Sequence, residues 1–286
     1  MKKILTFILG MMVVASCDLI SKSSSKSEKE ETSIADLEGM AFETEELSFS
    51  YEEDKVEVSI NVDYPSDGNP ILVNAVREYI SEIMGGTYAN DLEEGQKVVD
   101  YYGNTLKKEL NKEKQEQINA NDGSDEYINS FYRHFDIKKG YESGHFITYI
   151  VNSDIYLNGA HEVGSTYGLT FRKSDGRRFG TDMMCNLYSG DFYAIIKNGL
   201  KKYFSEYSDE RISTDEELKE YILTDDDVNY LPMPKNAPYI TEEGVVFTYQ
   251  PYEISFYAAG MPQFIVPAEK MKPFLTQTAL NMLKED

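Results

Sequence analysis

Tryptophan is missing from this 286-residue chain, which also holds only two cysteines and three histidines. Two cysteines cannot build a disulfide framework, and three histidines leave little material for a metal cage. Positive charge is scarce as well: 28 Lys and Arg stand against 50 Asp and Glu, a formal charge of −22. Nucleic-acid binding needs clustered cations to neutralise phosphates, so that class is excluded. A bilayer core of about 30 Å takes roughly 20 apolar residues to cross, and the apolar run Ile4–Ala15 falls short of that. There is no Gly-x-Ser-x-Gly elbow, phosphate loop or dinucleotide fingerprint. The stretch Asp225-Asp226-Asp227-Val228-Asn229 lacks the glycine and terminal glutamate of a calcium loop and reads as an acidic solvated loop. What is present, 41% hydrophobic and 27% charged residues, suffices for one large domain or two small ones with a buried core.

The start of the chain carries an address. Lys2 and Lys3 precede the apolar run, and Val14-Ala15-Ser16-Cys17 closes it with small residues before a cysteine. This is the layout of a bacterial lipoprotein leader: residues 1–16 are the expected signal peptide and Cys17 the expected acylation site. Residues 17–40 are then an anchor and tether, because Ile20–Ser33 is too poor in apolar side chains to offset its chain entropy by burial. The expected location is the cell envelope, lipid-anchored at the outer membrane on its periplasmic or surface face, with no other membrane contact. The charged stretch Lys26–Glu31 is of the kind found after the anchor of surface-displayed lipoproteins. Cys185, flanked by Met183, Met184 and Leu187, reads as a small buried apolar side chain.

The rest predicts an α+β fold of two mixed subdomains, 41–157 and 158–286, whose sheets are largely antiparallel and packed by helices. Apolar residues alternate through Leu47, Phe49 and Tyr51 and through Val56, Val58, Ile60, Val62 and Tyr64, giving two strands joined near 52–55. Asn69-Pro70 starts a helix that Gly85-Gly86 ends. A weaker helical stripe runs through Leu92, Val99, Tyr102, Leu106 and Leu110, interrupted by Gly103. Strands follow at 127–137 and 145–157, the second apolar on both parities and so covered on both faces. A strand through Tyr167, Leu169 and Phe171 and the turn Ser174-Asp175-Gly176 open the second half. Helices are expected at about 192–204, 215–223 (with a Thr214/Glu217 capping box) and 274–283, and strands near 245–249 and 264–266. Strands and helices come in clusters rather than in βαβ alternation, which favours α+β.

Two stretches are more specific. Tyr156-Leu157-Asn158-Gly159-Ala160-His161 ends a strand, and Phe247-Thr248-Tyr249-Gln250-Pro251-Tyr252-Glu253-Ile254 is continued by Tyr257-Ala258-Ala259-Gly260. Together they resemble the extracytoplasmic domain shared by RsiV-type anti-sigma factors and the N-terminal region of PdaC-type peptidoglycan deacetylases. Asn158 stands where that group typically has the first glycine of Gly-Gly-Ala-His. The metal-binding Asp and two His of a deacetylase module have no counterpart. The resemblance implies a sensor or binding domain on a lipid anchor; its anti-sigma relatives bind lysozyme.

The expected ligand-binding residues are therefore Asn158, Gly159, Ala160, His161 and Glu162 in the first loop, with Tyr252, Glu253, Tyr257 and Gly260 in the second. Tyrosines offer large contact area with a polar handle and suit recognition. No cofactor, metal or catalytic residue is expected. The expected partner is a basic protein such as lysozyme, towards which an acidic domain steers by charge, or peptidoglycan. The rival expectation is an envelope hydrolase or peptidoglycan-modifying enzyme that uses His161 with a nearby carboxylate as general base.

Overall fold

Successive side chains on a strand point to opposite faces, so the alternation in 56–64 commits one face of that strand to a core. In the computed structural model, which describes residues 39–223 and 228–284, it does so completely: Val56, Val58, Ile60, Val62 and Tyr64 are all buried. The expected leader, Cys17, all but the end of the tether, and Asp225–Asp227 lie outside the described residues. The α+β expectation holds: the described chain is mixed, with eight strands in two sheets.

The first sheet has the order β1 (Glu43–Glu53), β2 (Val56–Asp67), β3 (Phe131–Glu142), β4 (Phe146–Leu157), β5 (Val163–Arg172). Every neighbouring pair is antiparallel except β2 and β3, which run parallel. The crossover between those two carries α1 (Pro70–Ile83) and α2 (Gly95–Ala120), whose apolar stripes cover one face of the sheet. Asn69 begins α1: its Oδ1 accepts from the Ile71 N–H at 3.0 Å, and its Nδ2 donates to the Lys173 carbonyl at 2.6 Å, fastening the turn after β5 to the helix. Gly103 is where α2 crosses β1; a β-carbon there would sit 2.2 Å from the Phe49 ring. The residue that weakens the helical pattern is thus the one that allows close packing.

The strand expected at the start of the second half is β5, bonded to β4 from Ile155 opposite Val163 to Phe146 opposite Arg172, so the first sheet continues past residue 157. The β3–β4 hairpin also differs from expectation, since β3 reaches Glu142 rather than turning at 138. Its register shifts between Lys139 and Tyr141, a bulge at Gly140 that moves Tyr141 to the opposite face. There Tyr141 packs on the second core, while Glu142 joins Lys139 and Lys173 in an ion cluster. Burial opposes ionisation of Glu142, but hydrogen bonds from Lys139 and Lys173 outweigh it and hold its carboxyl below the usual range.

The second core is built on α3 (Gly190–Ser208), whose Phe192, Ile196, Leu200 and Phe204 lie at helical spacing and are buried against β7 (Gly244–Thr248) and β8 (Gln263–Val266). β6 (Tyr239–Thr241) completes this three-stranded antiparallel sheet. The helix at 215 is shorter than expected: α4 (Asp215–Lys219) has its capping box but ends after five residues. Hydrogen bonds from the Thr214 and Ser213 amides lower the Glu217 carboxyl to about 2. α5 (Ala268–Met271) and α6 (Gln277–Met282) close the described chain.

The two cores meet on the far face of the first sheet. Thr148 and Thr170 face each other across β4 and β5 with hydroxyls 2.7 Å apart. Thr148 also donates to the Ile240 carbonyl at 2.6 Å, and the Ile240 N–H donates to Thr170 at 2.8 Å. The Tyr239 ring fills the space above Gly168. One end of this outer face is therefore roofed by β6, and the other end is open.

Candidate functional site

The open end is floored by polar and aromatic side chains, because register places Ser59, His134, Asp154 and Gly164 in one row across four strands and Glu57, Tyr132 and Tyr156 in the next. Tyr132 stacks on His134 (ring centroids 4.8 Å, interplanar angle 8°) and on Tyr156 (5.5 Å, 29°). His134 Nε2 lies 3.2 Å from Glu57 Oε1. Glu57, Ser59, Asn61, His134, Asp136 and Asp154 line a groove of about 250 Å³.

The wall of this floor is made by the two loops singled out in the sequence, which come from different cores. Gln250, just after β7, lays its side-chain amide along the free edge of β5: Nε2 donates to the Thr166 carbonyl at 2.8 Å, and Oε1 accepts from the Thr166 N–H at 3.2 Å. That pairing carries the following loop to the one after β4. There the His161 ring stacks on Tyr257 with centroids 4.1 Å apart, with Tyr252 alongside at 6.2 Å. His161 Nδ1 is 2.8 Å from the Glu162 carbonyl, which only accepts, so Nδ1 carries the proton. In the neutral ring Nε2 is then left to accept from the Tyr252 hydroxyl at 3.3 Å. The Tyr257 hydroxyl donates to the same Glu162 carbonyl at 2.9 Å.

Glu162 joins the wall to the floor, since its carboxylate accepts from the Tyr132 hydroxyl. That hydrogen bond, then burial, then the glutamate charge push Tyr132 up to about 12. The ledge is accessible in part: Tyr252 is 58% exposed and the neighbouring Val163 56%, while Tyr257 is half-buried. His161 and Glu162 are exposed too. Three rings from two loops thus form a fixed aromatic ledge above a floor carrying Glu57, Asp136 and Asp154.

Not every expected residue faces outward from this ledge. Asn158 has φ +59°, a conformation asparagine tolerates, and its side chain is spent inside the fold. Its Oδ1 accepts from the Asn129 N–H at 2.8 Å and its Nδ2 donates to the Tyr127 carbonyl at 3.1 Å. Glu253 accepts from the backbone amides of Gln250, at 2.7 Å, and Lys235, so it shapes the second loop. Gly260, at φ +71°, ends the short turn 257–259, close to the Tyr203 hydroxyl. Gly159 and Ala160 are exposed beside His161, and the Gly159 carbonyl accepts from Tyr156 at 3.0 Å. Sequence reasoning missed Tyr132 as a member. The available signal was spacing: Tyr132 and His134 are two apart in a strand, opposite in parity to the buried Phe131 and Phe135.

Residues 191–269 match a family model described as a protein of unknown function, DUF3298. The match runs from α3 into α5; it takes in the Tyr252–Gly260 loop but not His161. Two solved structures share the architecture. One is a DUF3298 family member from Bacteroides fragilis NCTC 9343, 20% identical, with a TM-score of 0.66 over 85% of this chain and 96% of that one. The other is a DUF3298 family protein from Pseudomonas aeruginosa PAO1, 13% identical, with a TM-score of 0.58 over 86% of this chain and 98% of that one. At such identities the likeness concerns the fold alone. No curated protein matches the chain.

Proposed function

We propose that this is a non-catalytic, lipid-anchored envelope protein that recognises a partner through the aromatic ledge His161–Tyr252–Tyr257 and the acidic floor beside it. The observation that carries the reading is the stacked His161–Tyr257 pair: two loops far apart in sequence are tied together through the Glu162 carbonyl, with His161 and Tyr252 exposed and Tyr257 half-buried. Rigid exposed aromatics beside carboxylates suit a cationic protein surface, through apolar contact, cation–π attraction and charge. A basic protein of the lysozyme type is the preferred partner, with peptidoglycan second. The hydrolase reading is less well supported. A general base of that kind needs its second nitrogen oriented by a carboxylate, and His161 Nδ1 meets a backbone carbonyl while the Glu162 carboxylate is held by Tyr132.

The test is binding of the chain from Asp18 onward to a basic lysozyme, and separately to purified peptidoglycan, across a salt series. Saturable lysozyme binding that weakens with salt supports the reading, as does a loss of tenfold or more in Tyr257→Ala and His161→Ala with their melting temperatures unchanged. Binding that ignores both substitutions would move the interface elsewhere, and absence of binding to either ligand would end the proposal. Hydrolytic turnover lost in His161→Ala would establish the rival.

A further inference from the structure

A second site stands apart from the aromatic ledge, where α3 begins. Ser189 caps that helix, its hydroxyl accepting from the Phe192 N–H at 3.2 Å. Tyr188 and Tyr193 therefore hold the positions just before the cap and four residues after it, where two apolar side chains ordinarily close on each other as a staple. Here they stay apart. Tyr188 is 90% exposed, and among the described residues its side chain touches no other ring and makes no hydrogen bond. Tyr193 turns instead to Tyr230, edge to face, with centroids 5.4 Å apart. Tyr230 is itself 64% exposed.

The three tyrosines line a cleft of about 350 Å³ together with Lys197 and Asn229. That volume lies within the span of small-ligand pockets, roughly 300–1,000 Å³. The frame behind the rings is braced: Lys197 Nζ donates to Asp215 Oδ2 at 2.8 Å and to Asn229 Oδ1 at 3.0 Å, tying α3 to α4 and to the turn 228–230. Charge narrows the choice of ligand. Asp215 also accepts from Lys201 at 2.7 Å, so two ammonium groups share one carboxylate and a cation would meet a positive excess. An anion finds no open helix end, because Ser189 caps α3 and Asp191 occupies its first turn, and it would approach a chain of formal charge −22. What suits the cleft is an uncharged ligand with apolar faces for the rings and polar groups for Lys197, Asn229 and the phenols.

We infer that this cleft binds an uncharged pyranose saccharide, its C–H faces against Tyr188 and Tyr230 and its hydroxyls toward Lys197 and Asn229. A pyranose joins both requirements in one ring, and its weakly positive C–H groups suit the electron-rich face of a tyrosine. The cleft shares no residue with the ledge, so neither site depends on the other.

Calorimetric titration of the purified protein with chitotriose and with cellotriose, the N-acetylated and plain forms of one linkage, tests this, with choline as the cationic control. The expected result is saturable binding of at least one saccharide and none of choline. Tyr188→Ala should weaken that binding about fivefold, the order of one lost ring contact. Its melting temperature should not change, because the ring supports nothing in the fold, and Tyr188→Phe should keep the affinity. Tyr257→Ala, on the ledge, should leave saccharide binding as it is, which separates this site from the one proposed above. No saturable binding of either saccharide at tens of millimolar, tighter binding of choline, or an affinity indifferent to Tyr188→Ala would overturn the inference.

Discussion

Ile60 and Asn61 are neighbours in β2, yet Ile60 is fully buried under the helices and Asn61 is exposed on the groove floor. The same contrast holds across the sheet: Val58, Phe135, Ile137, Tyr149 and Val151 face α1 and α2, and Glu57, His134, Asp136, Asn152 and Asp154 face outward. The inner face is selected for volume and apolarity, so its residues answer to packing. The outer face, open beyond the Thr148–Thr170 contact, is free to carry charge and rings. One sheet thus separates a buried apolar face from an open polar one by parity alone.

Substitutions can break this contrast or sharpen it. The largest effect is expected from Ile60→Ala, a fully buried side chain, at about 2–5 kcal/mol of unfolding free energy; urea unfolding measures it. Gly103→Ala is next. Overpacking against Phe49 costs about 1–3 kcal/mol and outweighs the roughly 1 kcal/mol of helix propensity gained. A higher melting temperature in this variant would show that the inner layer is looser than its geometry implies.

Glu142→Gln probes the rim of the inner face and brings a pH dependence. The folded carboxyl titrates below its ordinary value of 4.5, so its contribution is complete above that pH and is lost as pH falls through the folded value. The melting-temperature gap between wild type and variant should be widest near neutrality and close under acid. The smallest effect is expected on the outer face: Asn61→Ala and Asp136→Asn should stay within about 0.5 kcal/mol of wild type. A large loss from either would mean that the open face is structural after all.

Much of this was legible before any coordinates. The alternation in β2, the Asn69-Pro70 start of α1 and the Thr214/Glu217 capping box are local signals with local causes, and each recurs in the fold. Double-parity apolarity in β4 reported a strand covered on both faces, by helices beneath Ile147 and by the second core above Phe146. The end of β3 was not legible, because a bulge at Gly140 changes parity without changing composition. β6 and α5 are three and four residues long and show no period. The fold brings the two motif loops together through the His161–Tyr257 stack, but which of their side chains face outward depended on distant partners. Asn158 and Glu253 are consumed by amides and carbonyls outside their motifs, and Tyr132 joins only through strand register and Glu162.

The parallel pairing of β2 with β3 has a consequence for how the chain finds this structure. β1 with β2, and β3 with β4 and β5, are each joined by tight connections and can form early as local meanders. Val56 reaches Phe131 only after the whole α1–α2 crossover has been drawn in, and such closures are disfavoured by chain entropy, by about 0.6 kcal/mol for each doubling of loop length. Non-local pairing of this kind slows folding. The middle of the sheet is accordingly a seam, expected to close after the local meanders on either side of it. The groove floor straddles it, with Glu57 and Ser59 on one side and His134 and Asp136 on the other, so the groove is complete only once β2 and β3 have paired.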